Sequence, residues 1–336
     1  MNSLLNVSPS PHIHTRRSVK TCMWHVVVAL IPAAAVALFY FGIGAAIVMA
    51  VSIAACVLTE WAITRFMLRR PATLANGSAA LTGLLLALNL PSMLPWWAVL
   101  VQLDRVAVVV GAVVAIGIGK MAFGGLGCNI FNPALVGRVF LLLSYPALMT
   151  TWALPGRPFG EYTDASSGAL DGITGATTLG ALKLGTVDPA DISVVDNLLG
   201  AVGGSIGEVG AIALIIGFIY LLAVGVISWH IPVSILATVA VFSWAAGAPV
   251  AIELLSGGLL LGAIFMATDY VTSPMTRSGM IVYGILIGSL TMVIRLWGAY
   301  PEGVSFAILL GNACTPLINR YFRPRRFGAE RRKVAA

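Results

Sequence analysis

The sequence predicts an all-α polytopic membrane protein, with about ten transmembrane helices in two five-helix inverted repeats that contain broken helices. Three observations lead there. Only 10% of the 336 residues are charged and 59% are hydrophobic, whereas soluble domains carry about 25% charged residues. Apolar runs recur at the length of about 20 residues that a helix needs to cross a hydrocarbon core of about 30 Å. Several runs are interrupted by Asn, Pro or Asp, and irregular backbone at membrane depth is tolerated only where protein or a cavity covers it.

Residues 1–22 form a polar arm containing Ser8-Pro9-Ser10-Pro11-His12-Ile13-His14-Thr15-Arg16-Arg17. Two histidines beside two arginines admit a metal or phosphate site, but the prolines favour a basic arm on the membrane surface. Residues 23–148 make the first membrane half. Runs 23–42 and 45–63 form a helical hairpin, followed by Arg65, Arg69 and Arg70. The next run, 76–97, is broken at Asn89-Leu90-Pro91-Ser92, because proline removes a donor and disturbs the preceding turn. Run 106–119 crosses back and ends at Lys120. A second interruption, Gly124-Gly125-Leu126-Gly127-Cys128-Asn129-Ile130-Phe131-Asn132-Pro133, precedes the helix 134–148.

Residues 149–208 are a hydrophilic insertion carrying Glu161, Asp164, Asp171, Asp188, Asp191 and Asp196 against only Arg157 and Lys183. Residues 209–319 supply the second half, with runs 210–227, 231–246, 251–268, 279–297 and 304–318. The third meets a polar break at Asp269-Tyr270-Val271-Thr272-Ser273-Pro274. Residues 320–336 are a basic tail. With this arrangement 15 of the 20 Lys and Arg residues fall on the side of the N-terminus. Basic residues gather in cytoplasmic loops, so both termini are expected in the cytoplasm and the 149–208 loop in the periplasm of a bacterial inner membrane. The first apolar run is long and follows Arg16, Arg17 and Lys20, so it reads as a retained span.

The halves are alike in outline. Leu81 to Leu88 meets a Leu-Pro-Ser break and Leu259 to Phe265 meets Thr272-Ser273-Pro274; Asn132-Pro133 opens a helix, and Asn312 and Pro316 lie in the last one. An odd number of spans per half makes such a repeat inverted, and inverted repeats with broken helices place a ligand near the bilayer midplane.

Many functions are excluded by absence of their chemistry. The net charge of +7 belongs to membrane-flanking segments and implies no nucleic acid. Cys22, Cys56, Cys128 and Cys314 contain no C-x-x-C pair, so neither a disulfide framework nor a metal site is indicated. No Ser/His/Asp set, paired catalytic carboxylates or P-loop is present. Gly124, Gly125 and Gly127 follow no strand, and close helix packing explains them better than a dinucleotide fingerprint. Ionisable groups near apolar runs are costly and tend to be functional. Arg138, Glu208 and Glu253 are each expected in structural pairs, Asp104 and Arg105 at the interface, and Asp269 is the first choice for a functional role.

The stretch with chemistry is Asp171-Gly172-Ile173-Thr174-Gly175-Ala176-Thr177-Thr178-Leu179-Gly180. Its composition suits an ordinary surface turn, or a loop whose glycines admit a bulky group beside a hydroxyl. Asp-Gly-x-Thr-Gly-Ala-Thr-x-Leu resembles the flavinylation motif of the D subunit of Rnf electron-transport complexes and the B subunit of Na+-translocating NADH:quinone reductase. Members often have Ser where Thr174 stands. The resemblance extends to the Ser-Pro-His-Ile-His arm, Gly-x-Gly-x-Asn-x-Phe-Asn-Pro-Ala, Phe-Met-Ala-Thr-Asp and Tyr-Pro-Glu-Gly-Val, and the short N-terminus favours the Rnf D subunit. It implies FMN held by a phosphoester on Thr177, within a motif of Asp171, Gly172, Thr174, Gly175, Ala176 and Leu179. Thr178 is the one-residue alternative. It also implies a non-covalent riboflavin near Asn129, Asn132 and Asp269, although the two asparagines alternatively cap the helix that Pro133 opens. Expected partners are the A, B, C, E and G subunits of an Rnf complex, above all the FMN-carrying G subunit, with a flavin transferase for maturation. The expected activity is electron relay coupling ferredoxin and NAD+ chemistry to Na+ or H+ movement, with no complete active site on this chain. The rival readings are a solute channel or transporter and a scaffold without cofactor.

Overall fold

The computed structural model describes residues 18–70, 74–92, 107–155, 174–189, 191–208 and 210–323. The polar arm before Ser18, Asp104, Arg105, Asp171, Gly172 and the end of the basic tail lie outside the described residues.

Helix α1 runs from Val19 to Ala62 and starts at Ser18, whose hydroxyl accepts from the Thr21 N–H. Gly42 interrupts it with φ 61° and ψ −142°, a conformation that a side chain resists. The run therefore becomes two helical segments, divided where the sequence separates 23–42 from 45–63. Helix α2 (Ser78–Leu88) starts after Gly77, at φ 77°, and lies against the second segment of α1. A Cβ on Gly83 would stand 2.7 Å from the Ile53 Cα, and the Ser52 hydroxyl donates to the Gly83 carbonyl over 2.8 Å. Small residues thus let two backbones touch, the usual basis of helix association in lipid.

The α2 helix stops at Asn89, as expected from Pro91. Backbone satisfaction at this break comes from far away in sequence: Gly207 donates to the Leu88 carbonyl at 2.6 Å and Ile206 to the Leu90 carbonyl at 3.0 Å. Helix α3 (Ala107–Val113) continues through a wider π-type turn at Val114–Ile118. Helix α4 (Pro133–Ser144) is capped by Asn132, and the short α5 (Pro146–Met149) follows.

Local chemistry shapes the described residues of the insertion. Strands β1 (Trp152–Ala153) and β2 (Thr174–Gly175) pair antiparallel, Trp152 opposite Gly175. Helices α6 (Thr178–Leu184) and α7 (Val194–Leu199) come next. Both rest on the helix Val250–Leu255, which is α10 in chain order. The Asn197 amide oxygen receives hydroxyls from Thr178 and Ser256, and Lys183 donates to the backbone carbonyls of Arg295 and Gly298. The loop is therefore fastened to the second half.

In that half, α8 (Ala211–Val224) packs on α1, and α9 (His230–Ala245) packs on α12 (Arg277–Trp297). Helix α11 (Leu259–Leu261) begins after Gly258, at φ 64°, and continues as a π-type turn over Gly262–Met266. It ends at the Thr268-Asp269 break. Helix α13 (Val304–Tyr321) completes the described chain.

Leu30, Leu86, Leu88, Ile116, Leu135, Leu214 and Tyr283 are fully buried at the centre. Phe39, Leu58, Ile219, Val241 and Trp244 point outward, an apolar exterior beyond what a soluble monomer exposes. Among the described residues Val19–Met67 and Arg277–Trp297 are long and apolar enough to cross a membrane, and shorter apolar helices surround them.

Candidate functional site

Thr177 is the N-cap of α6: its backbone is extended (φ −64°, ψ 157°) and its Oγ1 accepts from the Gly180 N–H at 3.1 Å. The cap arises from sequence, since Thr is a favoured capping residue and its oxygen satisfies one of the first free N–H groups. Thr177 is only 5% exposed. Gly175 lies on β2, where a Cβ would reach within 2.8 Å of Leu154; Ala176 is exposed; Leu179 is buried over Gly257. Thr178 differs from Thr177 in that its hydroxyl donates to Asn197.

The fit of a phosphoester to Thr177 can be judged from these contacts. An ester oxygen keeps a lone pair, so it still accepts from the Gly180 N–H, and Gly180 presents no side chain to it. The low exposure means that the surroundings of Thr177 must open for a flavin to be attached.

A second grouping forms where the two helix breaks meet. Asn129 donates to the Phe131 carbonyl at 3.1 Å and approaches the Asp269 carboxylate at 3.5 Å. Thr272 donates to the same carboxylate at 3.3 Å. Asn132 uses its oxygen to cap α4 through the Ala134 N–H and its amide to donate to the Met266 carbonyl at 3.2 Å. With the Asn312 amide oriented so that its nitrogen meets Tyr283, its oxygen accepts from the Asn132 N–H at 3.1 Å. The structure thus brings Asn129, Asn132 and Asp269 together, while Thr177 belongs to the separate loop grouping.

A cleft beside this cluster is lined by Thr82, Lys120, Asn129, Phe265 and Asp269 among others. The cavity volume is about 70 Å³. It is well under the roughly 300–1,000 Å³ of small-molecule pockets, and the polar groups already bond one another. A tricyclic flavin ring does not fit this conformation.

Among the described residues three buried ion pairs organise the charges. Glu60 pairs with Lys120 near the start of α2, and Glu253 pairs with Arg295 near the start of α11. Lys120 also donates to Ser78, and Arg295 donates to the carbonyls of Glu253 and Ser256. The third pair, Arg138 with Glu302, joins the halves, and Arg138 also donates to the Asn89 oxygen at 2.8 Å. The expected pairing of Arg138 and Glu253 is therefore found. Glu208 differs: it has no ion-pair partner among the described residues, and its Oε2 accepts from the Ser205 N–H at 2.9 Å. Burial and the nearby Glu302 carboxylate push its pKa up to about 8. Sequence reasoning passed over Glu60, Lys120 and Glu302. Charges at the ends of apolar runs were the available signal, but their pairing is a property of helix positions.

The chain matches the NQR2, RnfD, RnfE family over residues 6–328. It is 44% identical, over 100% of its own length and 99% of the relative's, to the D subunit of a Na+-translocating ferredoxin:NAD+ oxidoreductase complex of Acetobacterium woodii. It is 41% identical, over 98% of each, to the D subunit of a proton-translocating ferredoxin:NAD+ oxidoreductase complex of Clostridium ljungdahlii. The D subunit of an ion-translocating oxidoreductase complex of Stutzerimonas stutzeri is 42% identical over 94% of each. The apolar helices and their outward-facing hydrophobic side chains are those of a membrane protein, and the chain belongs to the NQR2, RnfD, RnfE family.

Proposed function

We propose that the chain is the D subunit of an Rnf-type complex, relaying electrons through FMN esterified to Thr177 while the complex couples ferredoxin and NAD+ chemistry to movement of Na+ or H+. Relatives so named match along almost the whole chain, and the observation that carries the cofactor assignment is the Thr177 hydroxyl, set in the motif at the start of α6. Bound FMN supplies one-electron redox chemistry. The chain's own residues do the positioning. Gly180, which donates to Thr177 Oγ1, would donate to the ester oxygen there, and Asn197 and Lys183 tie the loop to α10 and α12. In this reading the partner G subunit would be the electron donor, and a flavin transferase would act on Thr177. No step is assigned to riboflavin, because the Asn129–Asp269 cleft is too narrow for it.

In the same reading both termini are cytoplasmic, the 149–208 loop is periplasmic, and the halves are inverted repeats of five helices each. The matching ion pairs at Lys120 and Arg295, and the matching glycine caps at Gly77 and Gly258, support the repeat. The test is ultraviolet fluorescence of the denatured chain on a gel, from a host with its flavin transferase, followed by peptide mass analysis. Thr177→Ala abolishes the adduct and Thr178→Ala spares it. A wild-type chain without flavin refutes the electron-carrier reading and favours a transporter.

A further inference from the structure

The cluster at the junction of the halves leaves an unbalanced charge. Glu208, Glu253 and Glu302 are buried with Arg138 and Arg295. Arg138 binds Glu302 and Arg295 binds Glu253. Glu208 lies within the electrostatic reach of Glu302, Arg138 and Arg295. Among the described residues three carboxylates thus face two guanidinium groups, a deficit of one positive charge where burial makes an uncompensated charge expensive.

Two turns next to these charges hold buried oxygens without partners among the described residues. Glu208 Oε1, Glu302 Oε1, Ser205 Oγ and Ser305 Oγ make no hydrogen bond although each residue is at most 9% exposed. Buried polar atoms are nearly always satisfied, so four orphans in two turns require an explanation. Ser205 and Glu208 share one turn; Glu302 and Ser305 share the start of α13. A proton on Glu208 would restore the charge balance yet leave most of these oxygens unserved. Waters would serve the oxygens and leave the charge. A hard cation with oxygen ligands does both.

We propose that Glu208 and Glu302, with the hydroxyls of Ser205 and Ser305, bind one small monovalent cation, for which sodium is the probe. The site touches both halves. Ile206 and Gly207, inside the Glu208 turn, donate to the carbonyls at the end of α2, and Arg138 links Glu302 to Asn89 in the same break. A Cβ on Gly258 would stand 3.2 Å from Glu208 Oε1, so the glycine leaves space beside that buried oxygen. Occupancy would therefore be felt at the broken helix. The inference rests on the ion-translocating part of the proposed function and is independent of the flavin.

The competing arrangement is a direct bond from Arg295, whose Nε is also unpartnered, to Glu208. The experiment uses the full chain in detergent, with thermal unfolding and sodium NMR in NaCl, KCl and choline chloride at equal ionic strength. Sodium is expected to raise the unfolding midpoint saturably, relative to choline. Glu208→Gln should abolish the response, and Ser305→Ala should weaken apparent sodium affinity by about tenfold with the fold retained. Glu302→Gln is avoided because it strands Arg138. No sodium response in the wild type, a response to pH alone, or an undiminished response in both variants overturns the proposal. Thr177→Ala should leave the sodium response intact, so loss of the flavin reading and loss of the cation site are separable outcomes.

Discussion

Replacing Arg295 by Met tests whether the loop that carries Thr177 depends on a buried ion pair beneath it. Arg295 is 5% exposed and makes three polar contacts: to the Glu253 carboxylate at 2.7 Å, the Glu253 carbonyl at 2.6 Å and the Ser256 carbonyl at 2.9 Å. Removing one partner of a buried pair costs about 3–5 kcal/mol, because the other charge stays buried without compensation. Each carbonyl that loses its donor adds about 1 kcal/mol, partly counted already, so about 5 kcal/mol is expected. In a chain of this size that corresponds to a fall in Tm of about 10 °C. The assay is thermal unfolding of the detergent-purified chain, followed by circular dichroism, with Arg295→Lys and Glu253→Gln/Arg295→Met alongside. Lysine keeps the charge without the two-armed geometry and should lose about half as much. The double variant removes the stranded carboxylate and should recover about 2 kcal/mol relative to Arg295→Met. Since Leu179 and Lys183 rest on this corner, the 149–208 loop should also become more sensitive to protease. If Arg295→Met costs less than about 1 kcal/mol, or the double variant is no better than the single one, the pair does not hold this corner.

Gly207→Ala should destabilise by about 2 kcal/mol, because its Cβ would stand 2.8 Å from both Leu88 Cβ and Leu88 O; an unchanged midpoint would show that the turn is not seated on α2. Gly284→Ala drives a Cβ into Ser234 Oγ and leaves it 2.8 Å from Ser234 Cβ. It should cost about 1–3 kcal/mol and be partly rescued by Ser234→Gly, measured by the same unfolding. Thr177→Ala removes the α6 cap and should cost about 1 kcal/mol, whereas Thr177→Ser keeps the capping oxygen; local hydrogen exchange over residues 178–184 would report the difference.

Side-chain chemistry and spacing along the chain were enough to mark the membrane-like composition, the breaks at Asn89 and Asp269, the cap at Asn132 and the motif around Thr177. These follow from local rules: apolar length, loss of a donor at proline, and the capping preference of Asn and Thr. Family resemblance supplied what spacing left open, namely the expectation that a Gly-Thr turn of ordinary composition holds FMN. It did not reveal that Thr177 is already committed as a helix cap with little exposure, because burial depends on what packs around a residue.

The sequence by itself determined where helices begin and fail and which family the chain joins, since both reside in short runs of residues. Only the tertiary structure decided what each buried charge meets. Glu60 and Lys120 are 60 residues apart and Arg138 and Glu302 are 164 apart, and no local pattern encodes such partners. The same holds for the capping of α2 by Ile206 and Gly207 and for the unpaired carboxylate of Glu208. In a low-dielectric interior those distant meetings set the energy of every charge, so the charge balance at the junction of the halves exists only once the helices are assembled.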